Sequence, residues 1–228
     1  MNDFVLPPPP IVAAPVAGGG RFPIRRIFCV GQNYAAHSRE MGGDPAREPP
    51  FFFSKPADTL VTGGADAPYP SATQNLHHEI ELVVAIAAGG VNIAASDAEK
   101  HVFGYAAGLD LTRRDLQAQA RENRRPWDMS KAFDFSAPLG LIHPAVKIGH
   151  PKAGRIALKV NGDLRQNGDL SDLIWSVTEV IAALSRYVAL APGDLIFTGT
   201  PAGVGPLARG DVLEGEIERV GTVTTKIV

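Results

Sequence analysis

The chain has 228 residues, of which 45% are hydrophobic and 20% are charged. This length allows one domain with a sizeable core, and the composition is that of a globular protein rather than a disordered or membrane-spanning one. Lys and Arg total 22 against 24 Asp and Glu, so the formal net charge is -2. This balance supplies no basic field for binding nucleic acid or an anionic membrane, and neither is expected as a partner.

The first 24 residues are rich in proline and glycine. Residues 7–10 are all proline, which prevents a helical apolar segment, and Asp3 is acidic where a signal peptide would be basic. We therefore expect residues 1–24 to be an arm on the surface and residues 25–228 to be a single domain. The only cysteine, Cys29, lies in an apolar run, which indicates a small core residue and fits a reducing cytoplasm.

In the first half of the chain, short apolar runs are separated by glycine and proline. The predicted strands are 26–31, 51–53, 79–87 and 103–111. The predicted helices are 34–41, 96–102 and 113–123. Ser96 and Glu99 have the spacing of a capping box for the second of these helices. Residues 38–48 contain two glycines and a proline, which indicates a lid over a substrate.

The second half alternates strand and turn signals and contains one predicted helix, at 176–187. Asn161-Gly162 is typical of a two-residue hairpin turn. The predicted strands are 156–160, 195–198, 212–217 and 223–228. Strands outnumber helices without a regular βαβ alternation. The predicted class is therefore α+β, mostly β with mixed sheets, and a doubly wound sheet is disfavoured.

Two acids begin the most apolar strand. Side chains alternate along a strand, so Glu79 and Glu81 point to the same face of an element that is otherwise buried on both sides. Buried carboxylates are costly unless their charge is compensated, and a divalent cation would compensate it. The alternative is that the strand frays here and that both glutamates are solvated.

A third acid, Asp110, ends the apolar run over 103–109. At a strand-to-helix junction this side chain could face a site, or it could merely cap the helix that follows. Three acids at the ends of apolar strands would leave positions on a metal open for water and substrate.

Five ordered motifs resemble the fumarylacetoacetate hydrolase superfamily. They lie at 30–37, 53–56 (Phe-Ser-Lys-Pro), 78–81 (His-Glu-Ile-Glu), 108–112 (Gly-Leu-Asp-Leu-Thr) and 198–205 (Thr-Gly-Thr-Pro-Ala-Gly-Val-Gly). The resemblance extends from about residue 26 to the C-terminus. Within the family, the chain is most similar to the single-domain acylpyruvate hydrolases of the bacterial fumarylpyruvate hydrolase type. The resemblance implies a mixed-sheet roll of the family's C-terminal-domain type with a few short helices, and a homodimer.

The resemblance also implies that Glu79, Glu81 and Asp110 hold Mg²⁺ or Mn²⁺, and that crystals could contain Ca²⁺ there. It implies that His37 and Glu40 activate a water molecule, for which their spacing on one helix face is suitable. Without the surrounding motifs, His37 and Glu40 would be an ordinary solvated pair.

The resemblance assigns Lys131 to the active site, as a catalytic and substrate-binding residue, and Arg114 and Gln117 to substrate contacts. By themselves these would be a surface lysine and solvated helix residues. The segment with Gly199 and Thr200 has backbone N–H groups and hydroxyls suited to a substrate carboxylate or oxo group, although a plain turn would explain it. His77 and His78 fit either a metal ligand or a structural histidine. Tyr34, Trp127 and Trp175 are assigned to packing.

These features predict a metal-dependent hydrolase that cleaves a carbon–carbon bond in an acylpyruvate. The expected substrate is fumarylpyruvate, and the expected process is aromatic-compound catabolism. The first rival is an oxaloacetate decarboxylase or tautomerase, or a related oxo-diacid isomerase, which would use the same metal-stabilised enolate. The second rival is a non-catalytic, metal-dependent sensor of oxo acids. The partner is a small oxo acid in each case.

Overall fold

The computed structural model describes residues 4–40 and 48–228. The predicted lid at 38–48 and the end of the predicted helix at 34–41 therefore lie partly outside the described residues. Two cores occupy opposite faces of a central mixed sheet. Among the described residues, no helix is long and apolar enough to cross a membrane.

The described residues form 17 strands and five short α-helices. The strands are β1 Ala13–Pro15, β2 Arg21–Pro23, β3 Arg26–Gly31, β4 Phe51–Lys55, β5 Leu60–Thr62, β6 Leu76–His78, β7 Ile80–Ile86, β8 Val102–Leu109, β9 Thr112–Arg113, β10 Ala137–Leu139, β11 His143–Pro144, β12 Arg155–Val160, β13 Asp163–Asp169, β14 Asp194–Phe197, β15 Gly205–Leu207, β16 Val212–Ile217 and β17 Gly221–Lys226. The helices are α1 Ala35–Glu40, α2 Arg114–Glu122, α3 Asp128–Lys131, α4 Ala145–Ile148 and α5 Val177–Leu184.

The central sheet has eight strands in the order β4-β3-β14-β7-β8-β10-β5, with β11 added beside β8. The sheet is mixed because β3 and β14, and also β5 and β10, are parallel, whereas the other pairs are antiparallel. A second sheet, β13-β12-β16-β17, packs against one face, and β15-β6-β9 forms a third. The roll-like, mostly β architecture predicted for the chain is confirmed.

Strand β7 is buried along its whole length because it lies between the two cores. Ile80, Leu82, Val84 and Ile86 face the core that contains α5 and the second sheet. Val83 and Ala85 face the other core, which contains Cys29 and residues of the β1–β2 hairpin. Each fully buried aliphatic side chain contributes about 1.5–3 kcal/mol relative to exposure. This two-sided burial is the alternation that the sequence predicts.

Local signals located most elements correctly. Strands β3 and β16 have the predicted bounds. At the predicted hairpin, Asn161 and Gly162 both have positive φ, 53° and 84°, and Val160 lies opposite Asp163. Strand β13, which follows this turn, was not predicted because its sequence is polar; its pairing with β12 holds it in place.

The predicted helix at 96–102 is wrong. The structure has a single 3₁₀ turn, Ala98–His101, without a side-chain cap. Glu99 forms an ion pair with Lys152 at 3.0 Å instead of closing a capping box with Ser96. The carbonyl of His101 accepts hydrogen bonds from the N–H groups of residues 87 and 88, which directs the chain into β8. Tertiary hydrogen bonds therefore override the local helix signal.

Candidate active site

The three predicted acids meet where β7 begins and β8 ends. Glu79 immediately precedes β7, Glu81 lies within it, and Asp110 follows β8. The antiparallel register of these strands brings them together, and the Asp110 N–H donates to the Glu79 carbonyl at 2.9 Å. Each acid offers a carboxylate oxygen within 4.8 Å of the others. The three residues are only 4%, 2% and 0% exposed, so the alternative of solvated glutamates is wrong.

Three buried cations contact two of the acids. Lys131 Nζ donates to Glu79 Oε2 at 2.8 Å and to Asp110 Oδ2 at 2.7 Å. Arg114 Nη2 donates to Glu79 Oε1 at 2.5 Å, and Lys55 Nζ lies 2.9 Å from Asp110 Oδ1. Burial by itself raises the pKa of Glu79, but the charges of Lys131 and Arg114 outweigh it and lower that pKa. Asp110 therefore pairs with cations and does not cap α2, which begins only at Arg114.

Glu81 has a different environment. Its Oε2 accepts the Gly199 N–H at 2.7 Å, whereas burial and the charges of Asp110 and Glu79 raise its pKa well above the usual range. Gly199 has φ of 100°, and a Cβ there would lie 2.8 Å from Asn33 Cβ, so only glycine brings this N–H to the carboxylate. Glu81 thus carries a carboxylate whose charge is poorly compensated by protein groups.

These residues fit a divalent cation. Asp110 Oδ1 is fully buried, and the only charge beside it is the Lys55 ammonium at 2.9 Å, which forms no hydrogen bond to it among the described residues. Carboxylate oxygens are hard ligands that suit Mg²⁺ and Mn²⁺ better than zinc. A cation beside Glu81 would supply the positive charge that this acid lacks. Glu79, Glu81 and Asp110 are the residues that would hold it.

The predicted dyad also forms. His37 Nδ1 lies 3.1 Å from Glu40 Oε2 on α1, and His37 is only 6% exposed. The Gly203 N–H donates to Glu40 Oε1 at 3.1 Å, which fixes this carboxylate from the loop after β14. His37 lines the same pocket as the three acids.

One pocket contains the predicted site residues other than Glu40. It is lined by Val30, Gly31, Gln32, His37, Phe53, Glu79, Glu81, Asp110, Arg114, Gln117, Arg121, Trp127, Lys131, Gly199 and Thr200. Arg114 and Gln117 are buried, and Arg114 Nη1 donates to Gln117 Oε1 at 2.5 Å. Lys131 is a buried residue with its three N–H donors directed to Glu79, Asp110 and Thr112, so the alternative of a surface lysine is wrong.

The two histidines before Glu79 have hydrogen-bond partners outside the acid cluster. His77 Nε2 lies 2.9 Å from Asn75 Oδ1, and its Nδ1 accepts from Arg114 Nε at 3.3 Å. His78 Nδ1 lies 2.9 Å from Gln166 Oε1. Burial, the largest influence, lowers the pKa of both rings. Both histidines therefore support neighbouring side chains through hydrogen bonds.

Sequence reasoning missed several residues of the pocket and its support. Lys55 lies in a recognised motif, but a strand lysine is ordinarily a surface residue. Gln166 lies on the polar strand β13, where it donates to Thr200 Oγ1 at 2.7 Å. Trp127, assigned to packing, does pack edge-on against Phe51 but also lines the pocket. Only the tertiary fold reveals these contacts.

The family described as "Fumarylacetoacetate (FAA) hydrolase C-terminal" matches residues 26–228. The chain belongs to the fumarylacetoacetate hydrolase family. It is similar to fumarylpyruvate hydrolase from Ralstonia sp., with 44% identity over 81% of this chain and 95% of the relative. It is also similar to mitochondrial oxaloacetate tautomerase FAHD1 from Mus musculus, with 40% identity over 89% of this chain and 91% of the relative.

A solved structure is similar over almost the whole length. Fumarylpyruvate hydrolase from Pseudomonas aeruginosa, crystallised with Mn²⁺ and pyruvate, is 51% identical and has a TM-score of 0.97 over 99% of each chain.

Proposed function

We propose that this protein is a metal-dependent hydrolase that cleaves the carbon–carbon bond of an acylpyruvate, with fumarylpyruvate as substrate and fumarate and pyruvate as products. The observation that carries the proposal is the position of the buried dyad member His37 in the same pocket as Glu79, Glu81 and Asp110. The similarity to a fumarylpyruvate hydrolase crystallised with Mn²⁺ and pyruvate supports the substrate class.

Glu79, Glu81 and Asp110 would hold Mn²⁺ or Mg²⁺, which would supply Lewis-acid stabilisation for the negative charge that develops on the pyruvoyl part of the substrate. Arg114 and Gln117 form the neighbouring wall of the pocket. Arg114 is fixed by Glu79 and Gln117, so its guanidinium is oriented before the substrate arrives.

His37 acts as the general base that takes a proton from water, which then attacks the far carbonyl of the acyl group. Glu40 orients the imidazole through the 3.1 Å contact at Nδ1 and stabilises its positive charge after proton transfer. The Gly203 N–H holds Glu40 in turn. Decarboxylation of oxaloacetate needs no water nucleophile, so this dyad favours hydrolysis over decarboxylation, whereas tautomerisation would use the same base.

Thr200 is suited to donate to the developing oxyanion. Its hydroxyl lines the pocket and already accepts a hydrogen bond from Gln166, so its own proton is directed elsewhere. Lys131 supplies fixed positive charge instead, because its donors point to the carboxylates and Thr112. Donors placed before reaction stabilise charge that appears only in the transition state.

The rival function is tautomerisation or decarboxylation of oxaloacetate, which the Mus musculus relative makes relevant. The test is a panel of fumarylpyruvate, acetylpyruvate and oxaloacetate with the Mn²⁺-loaded protein, with products identified by NMR. Equimolar pyruvate and carboxylic acid from an acylpyruvate are expected. Turnover of oxaloacetate alone would establish the rival, and binding without turnover of any compound would establish an oxo-acid sensor.

As part of the same proposal, the protein acts as a homodimer in the cytoplasm and takes part in aromatic-compound catabolism, where ring cleavage supplies acylpyruvates. Light scattering after size exclusion checks the dimer: a mass of about twice 24.1 kDa is expected. A monomeric mass at working concentration would contradict it.

A further inference from the structure

Gln166 is a buried amide on strand β13, beside the loop that follows β14. It is 0% exposed, whereas its neighbours Arg165 and Asn167 are exposed. A Cβ on Gly168 would lie 2.7 Å from Pro201 Cβ, so β13 packs directly against this loop. A buried amide is costly unless its polar groups are hydrogen-bonded, and each group of Gln166 has a partner.

Two backbone groups fix the orientation of the Gln166 amide. The Ile80 N–H can only donate, and it lies 3.1 Å from Gln166 Oε1. The Pro201 carbonyl can only accept, and it lies 2.8 Å from Gln166 Nε2. Exchanging the amide oxygen and nitrogen would place donor against donor and acceptor against acceptor. The backbone therefore imposes one of the two orientations that an amide could adopt.

The polarity of the two remaining hydrogen bonds follows from this orientation. His78 Nδ1 lies 2.9 Å from Gln166 Oε1 and has to carry a proton, because Oε1 only accepts. Thr200 Oγ1 lies 2.7 Å from Gln166 Nε2 and has to accept. Thr200 lines the pocket, and its hydroxyl proton has no acceptor among the described residues. That proton is left for a group that enters the pocket.

We infer that Gln166 is a positioning residue, which holds the Thr200 hydroxyl as a hydrogen-bond donor to the oxyanion that forms when water attacks the far carbonyl of the substrate. His78 fixes the Gln166 amide in turn through its Nδ1 proton. The inference rests on the proposed function, because it names the residues behind the oxyanion donor of that reaction.

The expected effect of this arrangement is on kcat. Attack by water adds a C–O bond and moves the carbonyl electron pair onto oxygen, and the charge leaves that oxygen when the carbon–carbon bond breaks. A donor that already points to the oxygen does not have to reorient as the charge appears. Losing the donor direction therefore raises the energy of the transition state more than that of the bound substrate.

The alternative is that Gln166 serves only the fold, by tying β13 to the start of β7 through the Ile80 N–H. A purely structural glutamine would be needed to the same extent whether or not residue 200 has a hydroxyl. A double-variant cycle between Gln166 and Thr200 therefore separates the two roles, whereas the activity of one variant does not.

The experiment measures fumarylpyruvate hydrolysis by the Mn²⁺-loaded wild type, Gln166→Met, Thr200→Val and the double variant. Gln166→Met is expected to lower kcat about 10- to 100-fold with KM within about threefold, and Thr200→Val to lower kcat about 10²- to 10³-fold. In the double variant, Gln166→Met should change kcat less than about twofold relative to Thr200→Val. Gln119→Met, at an exposed glutamine that does not line the pocket, is the control.

Two further variants test the polarity. Thr200→Ser keeps the hydroxyl and should keep kcat within about tenfold of the wild type. Gln166→Glu keeps an oxygen for Ile80 and His78 but replaces the two Nε2 donors, so it should lose kcat as Gln166→Met does and provides the same cycle if Gln166→Met does not fold. Wild-type kcat in both Gln166 variants, or equal losses with and without the Thr200 hydroxyl, would overturn the role of Gln166.

A measurement that needs no turnover keeps the inference separate from the proposed function. If the wild type hydrolyses no acylpyruvate, the proposed function fails. Nitrogen NMR of the histidine rings, with His78 assigned by its loss in His78→Gln, then tests the hydrogen-bond polarity itself. A proton on Nδ1 is expected. A ring whose only proton is on Nε2 would refute the deduced orientation of Gln166 and the donor role of Thr200 with it.

Discussion

Lys55 and Asp110 form a buried ion pair in which the ammonium supplies charge without occupying the carboxylate as a hydrogen-bond acceptor. Nζ lies 2.9 Å from Asp110 Oδ1, but its hydrogen bonds go to the carbonyls of Leu111 and Lys131 and to Ser136 Oγ. Oδ1 accepts no hydrogen bond from the described residues. Lys55 thus lowers the cost of burying the Asp110 carboxylate.

Replacing Lys55 by Met is expected to lower the free energy of unfolding of the metal-free protein by about 3–5 kcal/mol, because breaking a buried pair leaves an uncompensated charge. The double variant Lys55→Met/Asp110→Asn should lose less than the sum of the two single variants. Urea unfolding measures both. Lys100→Met, at a lysine with a 76% exposed side chain, is the control. Additive losses would show that the two charges do not depend on each other.

Replacing Glu81 by Ala is expected to abolish Mn²⁺ binding and turnover but to leave the metal-free fold intact. The substitution removes a proposed ligand and also relieves repulsion from Asp110 and Glu79, the charges that raise the pKa of Glu81. The melting temperature without metal should therefore not fall, whereas the stabilisation by added Mn²⁺ should disappear. Bound metal is measured in this variant and in the control variant Glu214→Ala, which changes an exposed glutamate. Full occupancy with normal turnover would refute the metal assignment.

Replacing His37 by Ala is expected to lower acylpyruvate hydrolysis about 10²- to 10⁴-fold, the usual cost of losing a positioned general base. Any oxaloacetate decarboxylation should largely persist, because enolate formation needs the metal but no water nucleophile. Both activities are assayed on one preparation whose Mn²⁺ content matches that of the wild type. Hydrolysis at the wild-type rate would show that His37 is not the base.

Asp115 joins α2 to the segment before β6 and gives a pH-dependent prediction. Burial, the largest single influence, raises its pKa, but hydrogen bonds from Thr73 Oγ1 and the N–H groups of Gln74 and Leu116 together outweigh burial and lower it. Its contribution to stability is therefore complete above the unfolded pKa of about 3.9 and is lost as the pH falls through the lower folded pKa.

Asp115→Asn should lower the free energy of unfolding by about 1–3 kcal/mol at pH 7. The difference in the free energy of unfolding between the variant and the wild type should shrink as the pH falls below about 4. Unfolding measured at pH 7 and again below about pH 4 checks this. Asp128→Asn, at an exposed aspartate in the first turn of α3, is the control. A difference that grows in acid would contradict the lowered pKa.

Much of the fold and of the site was predictable because the relevant information is local. Strand alternation predicted that Glu79 and Glu81 share a face, and their carboxylates do meet although Glu79 lies just before β7; helical spacing placed His37 beside Glu40. The turn at Asn161-Gly162 follows from the conformations that these two residues tolerate. The lid predicted over residues 38–48 and the boundary of the arm at residue 24 stay predictions.

By itself, therefore, the sequence determined which side chains share a face within each element, and which acids could form a metal site. Only the tertiary structure decided which distant groups balance those acids. Lys55 and Lys131 contact the two oxygens of Asp110 from separate elements, and Gln166 reaches Thr200 from a strand too polar to be predicted. Such pairings depend on sheet order and register, which arise from many weak contacts between distant segments and leave no signal in any single segment.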